Sequence, residues 1–223
     1  MKTLFAGNLP KLVMFDLDGT LVDSVPDLAA AINQMLWQLG RQPVAVSTVA
    51  TWVGNGAEVL VRRALAGSLE CADVDEALVS DALPLFLDAY GQSHDLTRPY
   101  PGVLLLLNAL RERGVPMALI TNKPEEFVAP LLGQVGLDGF FSWIIGGGAT
   151  KPKPDPAGLL YVLQMAGVDA ADAVFIGDSR NDVLAAKAAG VGCIAVSYGY
   201  NHGQPIALEA PDLIVANLAD LLP

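Results

Sequence analysis

A chain of 223 residues, 52% apolar and only 17% charged, can bury a sizeable core, which argues against disorder and allows one substantial domain with at most one modest insertion. A formal net charge of −11 argues against nucleic acid and anionic membrane surfaces as partners and leaves small molecules and metal ions. No apolar run approaches the roughly 18 residues of a membrane span, and Met1 to Lys11 lacks the apolar region of a secretory signal, so the expected location is the cytoplasm.

Lys11-Leu12-Val13-Met14-Phe15 is an apolar run with no room for a helix before Gly19, and it predicts a buried strand ending at Asp16. From Pro26 to Leu39 the apolar Leu28, Ile32, Met35, Leu36 and Leu39 recur at helical spacing, with Ser24 as cap and Gly40 as stop. Residues 47–93 continue as helical segments broken at Gly54, Gly56 and Gly67, and Pro84 is expected to split or bend the last of them. Beyond Pro101 the pattern alternates. Helices are predicted over 102–113, 124–135, 156–166 and 180–189, and strands over 116–121, 141–145, 173–177 and 192–197. A short strand near 213 and a helix near 218 follow. Gly114, Gly136, Gly167 and Gly190 each close a helix. Alternation with short links implies an α/β fold: a doubly wound, Rossmann-like parallel sheet built from residues 1–22 and 96–223, interrupted by an all-helical cap at 23–95. Ligands in such sheets bind beyond the carboxyl ends of the strands.

Four motifs fall at those ends. In Phe15-Asp16-Leu17-Asp18-Gly19-Thr20-Leu21 the alternation of a strand puts Asp16 and Asp18 on one face, and Gly19 lets the chain turn at once. One aspartate can attack phosphorus while a second carboxyl protonates the leaving alcohol and then activates water. Two such charges also call for a divalent cation. Thr121 and Asn122 end the strand that begins at Met117, with side chains suited to donating hydrogen bonds to phosphate oxygens. The prolines of Lys151-Pro152-Lys153-Pro154-Asp155-Pro156 stiffen the chain so that a lysine can be held against Asp16 and phosphate. Asp178, at the end of Val174-Phe175-Ile176-Gly177, is a candidate magnesium ligand, with Asp182 one helical turn later supporting it.

Asp16-Leu17-Asp18-Gly19-Thr20, Thr121-Asn122, Lys151-Pro152-x-Pro154 and Gly177-Asp178-Ser179-Arg180-Asn181-Asp182 resemble the four ordered motifs of the haloacid dehalogenase superfamily along the whole chain. Trp52-Val53-Gly54-Asn55-Gly56, Thr121-Asn122-Lys123-Pro124 and Tyr198-Gly199-Tyr200-Asn201 are similar to stretches of its bacterial phosphoglycolate phosphatases. The resemblance implies Asp16 as nucleophile and Asp18 as general acid and base. It implies Mg2+ held by the Asp16 carboxylate, the Asp18 carbonyl and Asp178, and a phosphoryl group gripped by Thr121 and Lys151. The family's lysine comes first in Lys-Pro-x-Pro, which selects Lys151.

Asp18 favours phosphatase or phosphomutase chemistry over dehalogenation, which needs no second catalytic carboxyl. A helical insertion directly after the nucleophile implies a lid that admits a small phosphate ester. For 2-phosphoglycolate the expected carboxylate readers are the Gly54-Asn55-Gly56 amides and Lys123. Another small phosphate ester is the alternative substrate. A phosphorylated-aspartate signalling domain shares strand-end acids, Thr and Lys, but carries its reactive aspartate on a middle strand and lacks such an insertion. His94 and His202 are expected to be polar surface or capping residues, and Trp37, Trp52 and Trp143 to fill core or cap packing. Cys71 and Cys193 are expected to be reduced. The assembly is expected to be a monomer or a homodimer.

Overall fold

A computed structural model describes residues 2–5, 7–92 and 95–222; His94 lies outside them. In chain order the strands and helices are β1 (Leu12–Phe15), β2 (Val22–Asp23), α1 (Val25–Gln38), α2 (Val46–Trp52), α3 (Ala57–Ala66) and α4 (Glu76–Gln92). Then come β3 (Arg98–Pro99), α5 (Val103–Glu112), β4 (Met117–Pro124), α6 (Val128–Gln134), β5 (Trp143–Gly147) and α7 (Ala157–Ala166). The chain closes with β6 (Ala173–Gly177), α8 (Arg180–Ala189), β7 (Gly192–Val196) and β8 (Leu213–Val215).

Six strands form one sheet in the order β5-β4-β1-β6-β7-β8, and every pairing in it is parallel. The doubly wound expectation holds, with the order reversing at β1. All four residues of β1 are buried, because helices cover both faces of the sheet. Val13 and Phe15 face α5 and α6, whereas Leu12 and Met14 face α7 and α8. Each fully buried aliphatic or aromatic side chain contributes roughly 1.5–3 kcal/mol over the exposed state. Gly114, Gly136, Gly167 and Gly190 all have positive φ, between 64° and 71°, as helix C-caps require. The helix expected near 218 is a 3₁₀ turn, Leu218–Leu221, and the one expected from 124 opens with a 3₁₀ turn before α6.

Between β1 and β4 lies a separate apolar cluster built from Leu28, Ile32, Met35 and Leu36 of α1, Val61 and Leu65 of α3, and Phe86 and Tyr90 of α4. Pro84 neither splits nor ends α4. It sits on the exposed side of the helix, where water can meet the carbonyl that loses its donor, while Val79, Ala82, Phe86 and Ala89 keep the buried face continuous. Trp52 is buried as expected, but Trp37 projects from α1 and is 77% exposed. The two chain crossings into this helical body meet in a ribbon that sequence periodicity does not show: β2 and β3 pair antiparallel, Asp23 opposite Arg98. Asp27 fastens the crossings together, accepting hydrogen bonds from Thr97 N at 2.7 Å and Thr97 Oγ1 at 2.6 Å.

Candidate active site

The ends of β1, β4 and β6 are adjacent because β1 lies between the other two, with Phe15 in register with Leu119 and Ile176. That register gathers Asp16, Asp18, Thr121 and Asp178 at one edge of the sheet. Asp16 is buried, and its Oδ1 lies 2.7 Å from Lys153 Nζ. The same ammonium donates to Asp182 Oδ1 at 2.7 Å. Burial pushes Asp16 up to about 7: the Lys153 ammonium draws it down, and the charges of Asp182 and Asp18 add to the rise. Burial pulls Lys153 down, but Asp16 and Asp182 outweigh it and its pKa ends above the usual lysine value.

Here the lysine assignment is corrected. Lys151 has a side chain 79% exposed and reaches only Asp155, at 4.0 Å. The chain contains two overlapping Lys-Pro-x-Pro frames, Lys151-Pro152-Lys153-Pro154 and Lys153-Pro154-Asp155-Pro156. Two residues along the rigid segment turn the side chain from solvent onto Asp16, and the second frame is the one that reaches it.

Asp178 is buried, its Oδ1 accepting from Thr20 Oγ1 at 3.0 Å and its Oδ2 from Tyr200 N at 2.7 Å. Burial raises it well above the carboxylate range, and the charges of Asp182 and Asp16 add to this. Carboxylate oxygens of Asp16, Asp178 and Asp182 lie within 4.8 Å of one another. Asp182 is already committed, since Oδ1 takes Lys153 while Oδ2 takes Asp178 N, Ser179 N and Ser179 Oγ, closing a capping box at the start of α8. Three buried carboxylates against one lysine leave an excess of negative charge, and hard oxygen donors of this kind suit Mg2+. A Cβ at Gly19 or at Gly199 would strike the Asp178 side chain, so both glycines are needed where the loops close around it.

Thr121 is buried, and its hydroxyl oxygen accepts from Lys123 N at 3.1 Å, which leaves its proton to donate. The Asn122 side chain is not available to a phosphate: its Nδ2 donates to Gly54 O at 3.0 Å and Lys153 O at 2.9 Å, and its Oδ1 accepts from Lys153 N. It works as a brace, holding the lysine segment to the end of β4.

A family model for haloacid dehalogenase-like hydrolases matches residues 10–190. The chain belongs to this family. Among curated relatives of this hydrolase, the phosphoglycolate phosphatase of Pseudomonas putida KT2440 is 62% identical over 221 residues, 99% of this chain and 81% of the relative. Phosphoglycolate phosphatase 1 of Pseudomonas aeruginosa PAO1 is 62% identical over 220 residues, 98% of this chain and 81% of the relative. The crystal structure of a predicted phosphoglycolate phosphatase from Haemophilus somnus 129PT superposes with a TM-score of 0.89 at 39% identity, covering 95% of this chain and 96% of the other. With these relatives and this fold, the hydrolase is a phosphatase.

In this hydrolase a cleft opens in front of Asp16 and Asp18, roofed by the helical body. Gly54, Gly56 and Lys123 line it, and so do Leu28, Leu60 and Phe86. The Asn55 side chain is not part of the lining; Arg63 holds it at 3.0 Å and it contacts Asn181. The 51–56 loop is fastened to the sheet by core side chains, Asn122 and Asn181 both donating to Gly54 O and His202 Nδ1 lying 2.9 Å from Thr51 O. His202 is therefore a half-buried link to the roof and not a surface residue, and burial lowers its pKa.

Other contacts escape sequence reasoning. Ser24, expected only as a helix cap, makes no capping bond and instead donates to Asp18 Oδ1 at 2.6 Å. Tyr200 OH accepts from Ser24 N at 3.1 Å and donates to Asp23 Oδ1 at 2.7 Å, while its backbone N–H holds Asp178. One residue thus joins the root of α1 to a candidate metal ligand. The signal for it is the Tyr198-Gly199-Tyr200 stretch just past β7, which the switch-point rule places at the carboxyl edge.

Proposed function

We propose that this phosphatase hydrolyses 2-phosphoglycolate to glycolate and phosphate through a phosphorylated Asp16. The observation that carries the chemistry is the pair of carboxylates, Asp16 and Asp18, lining one cleft with the Thr121 hydroxyl. The names of the relatives support the substrate. In this reading residues 1–22 and 96–223 are the catalytic core and 23–95 the lid, whose seating on Asn122, Asn181 and His202 excludes water and bulky esters.

An oxygen of Asp16 forms the bond to phosphorus while the bond to the glycolate oxygen breaks, and Asp18 gives that oxygen its proton. Asp18 then takes a proton from a water that attacks the acyl phosphate, releasing phosphate and restoring Asp16. The Thr121 hydroxyl and the Lys153 ammonium face the phosphoryl oxygens, where they act as fixed donors to the charge that develops. Mg2+, held by Asp16, the Asp18 carbonyl and Asp178, supplies further charge neutralisation when bound. Lys123 and the Gly54 and Gly56 backbone read the carboxylate. Among the described residues no helix is long and apolar enough to cross a membrane, and we assign the enzyme to the cytoplasm.

The test is kcat/KM in magnesium for 2-phosphoglycolate beside phosphoserine, glucose phosphates and pyrophosphate, with Asp16→Asn as control. A strong preference for phosphoglycolate that vanishes in the variant is expected. Equal slow rates on all of these substrates would remove the substrate, and an active Asp16→Asn would remove the mechanism.

A further inference from the structure

The cleft offers a carboxylated substrate a single cation. Among the described residues of its lining Asp16 and Asp18 are the acids, Tyr90, Thr121 and Asn122 carry the other polar side chains, Lys123 is the one base, and most of the rest is apolar. That base is already engaged. Lys123 Nζ lies 3.0 Å from Asp18 Oδ1 and 3.3 Å from Oδ2, its side chain is 2% exposed, and the ring of Tyr90 covers it at 4.7 Å. Ammonium against carboxylate under an aromatic face, out of water, is a strong pairing, since little solvent screens it.

A second carboxylate entering this volume meets Asp18 as a like charge and Lys123 as the cation of the lining. The ammonium has three protons, and those turned toward Asp18 are the ones an incoming anion must draw off. Thr121 and Lys123, two residues apart near the end of β4, line the same cleft as Asp18. In 2-phosphoglycolate one methylene and the ester oxygen separate the phosphorus from the carboxyl group. With its phosphate at Thr121, such a substrate brings its carboxylate and its ester oxygen into the same cleft as the Lys123–Asp18 pair.

The geometry points to Lys123 as a specificity-determining residue that restrains Asp18 until the substrate carboxylate takes the ammonium over, so that only carboxylated phosphate esters release Asp18 to the leaving oxygen. This rests on the phosphoglycolate reading and adds a consequence that simple recognition does not have. A lysine that only reads a carboxylate changes binding. A lysine that trades Asp18 for that carboxylate also changes the rate of the bond-breaking step, in which the Asp18 carboxyl gives its proton to the oxygen leaving phosphorus. A phosphate ester of the same size without the carboxylate leaves the pair intact and reacts slowly even at saturation.

Two measurements test this. On the native enzyme with magnesium, methyl phosphate is supplied with formate, which together contain the groups of 2-phosphoglycolate without the bond joining them. Formate is expected to raise kcat on methyl phosphate by about 10-fold or more, a fraction of the roughly 10²–10⁴ that a general acid supplies. In Lys123→Met that activation disappears, kcat on 2-phosphoglycolate falls, and kcat on ethyl phosphate rises above the native value, because Asp18 is no longer restrained. Formate that only inhibits the native enzyme overturns the proposal, and this arm does not depend on how the variant folds. So does a Lys123→Met enzyme whose KM for phosphoglycolate rises while both kcat values stay native; in that case the substrate reading survives. A native enzyme with no preference for 2-phosphoglycolate over ethyl phosphate removes the substrate reading and the proposal together.

Discussion

Replacing Lys153 by methionine removes the ammonium that stands 2.7 Å from both Asp16 and Asp182. The lysine and Asp182 are 5% and 1% exposed at the side chain, so Asp182 cannot turn to water when its partner goes. Stripping one member from a buried ion pair costs about 3–5 kcal/mol, because the other charge stays behind in a medium that solvates it poorly. That is a large share of the roughly 5–15 kcal/mol that holds a domain together. Part of the cost can be escaped by protonation, since burial already pushes Asp16 up to about 7; the loss should therefore be larger at pH 8 than at pH 5.5. The same change at Lys151, 79% exposed and 4.0 Å from Asp155, should cost no more than about 1 kcal/mol. Loss of a fixed donor to the phosphoryl group should lower kcat about 10²–10³-fold in Lys153→Met, while Lys151→Met stays near the native rate. Urea denaturation of both variants at the two pH values, with kcat on 2-phosphoglycolate in saturating magnesium, decides the matter. If Lys151→Met loses the activity, the first Lys-Pro-x-Pro frame is the working one and the argument is wrong. If Lys153→Met keeps its denaturation midpoint, the buried pair is not holding charge as described.

A methyl group at Gly199 would collide with the Asp178 side chain, whose carboxylate the neighbouring Tyr200 N–H orients. Gly199→Ala should weaken magnesium binding about 10–100-fold, the usual cost of disturbing the support of a ligand, and titration calorimetry reads this directly; native affinity would mean Asp178 is not a ligand. In metal-free protein Asp16 is raised from 3.8 to about 7 and Asp178 moves the same way. The native state then holds protons that the unfolded chain has released, so stability falls as pH rises from about 4 to 7, by up to roughly 4 kcal/mol for Asp16 at 1.36 kcal/mol per unit. Saturating magnesium should flatten that slope. Denaturation midpoints at pH 5.5 and 8, with and without the ion, check the sign, and metal-free stability that climbs with pH contradicts the assignment.

The strands of the six-stranded sheet were legible in the sequence because they are short apolar runs with no competing period, and β1 shows why it worked: Leu12 to Phe15 are buried on both faces, so no polar alternation blurs the signal. The acidic positions followed, since a parallel sheet gives every strand end the same address. Lys153 did not follow, because a motif spelled twice in six residues has two valid frames, and only the direction in which the rigid segment points its side chains separates them. Asn122 could be located but not its task, because an amide that can serve a phosphate can equally brace a loop.

The contacts that stayed hidden share a different character. Ser24 to Asp18, Tyr200 to Ser24 and Asn181 to Gly54 join residues on either side of the passage from sheet to helical body, and Lys123 to Asp18 joins the ends of two strands. Three of these four reach across more than a hundred positions, and sequence period carries no information at that range. They also converge on few atoms. Asp18 is held by one donor at the root of α1 and another at the end of β4, and Asp178 by a residue whose hydroxyl grips that same root. A shift of α1 relative to the sheet must therefore move Ser24 and Tyr200 against Asp18 and Asp178, the acids proposed to serve the leaving group and the metal. If the helical body acts as the proposed lid, its seating and the placement of the two carboxylates are, on this geometry, one event, which ties the shape of the substrate to the proposed chemistry.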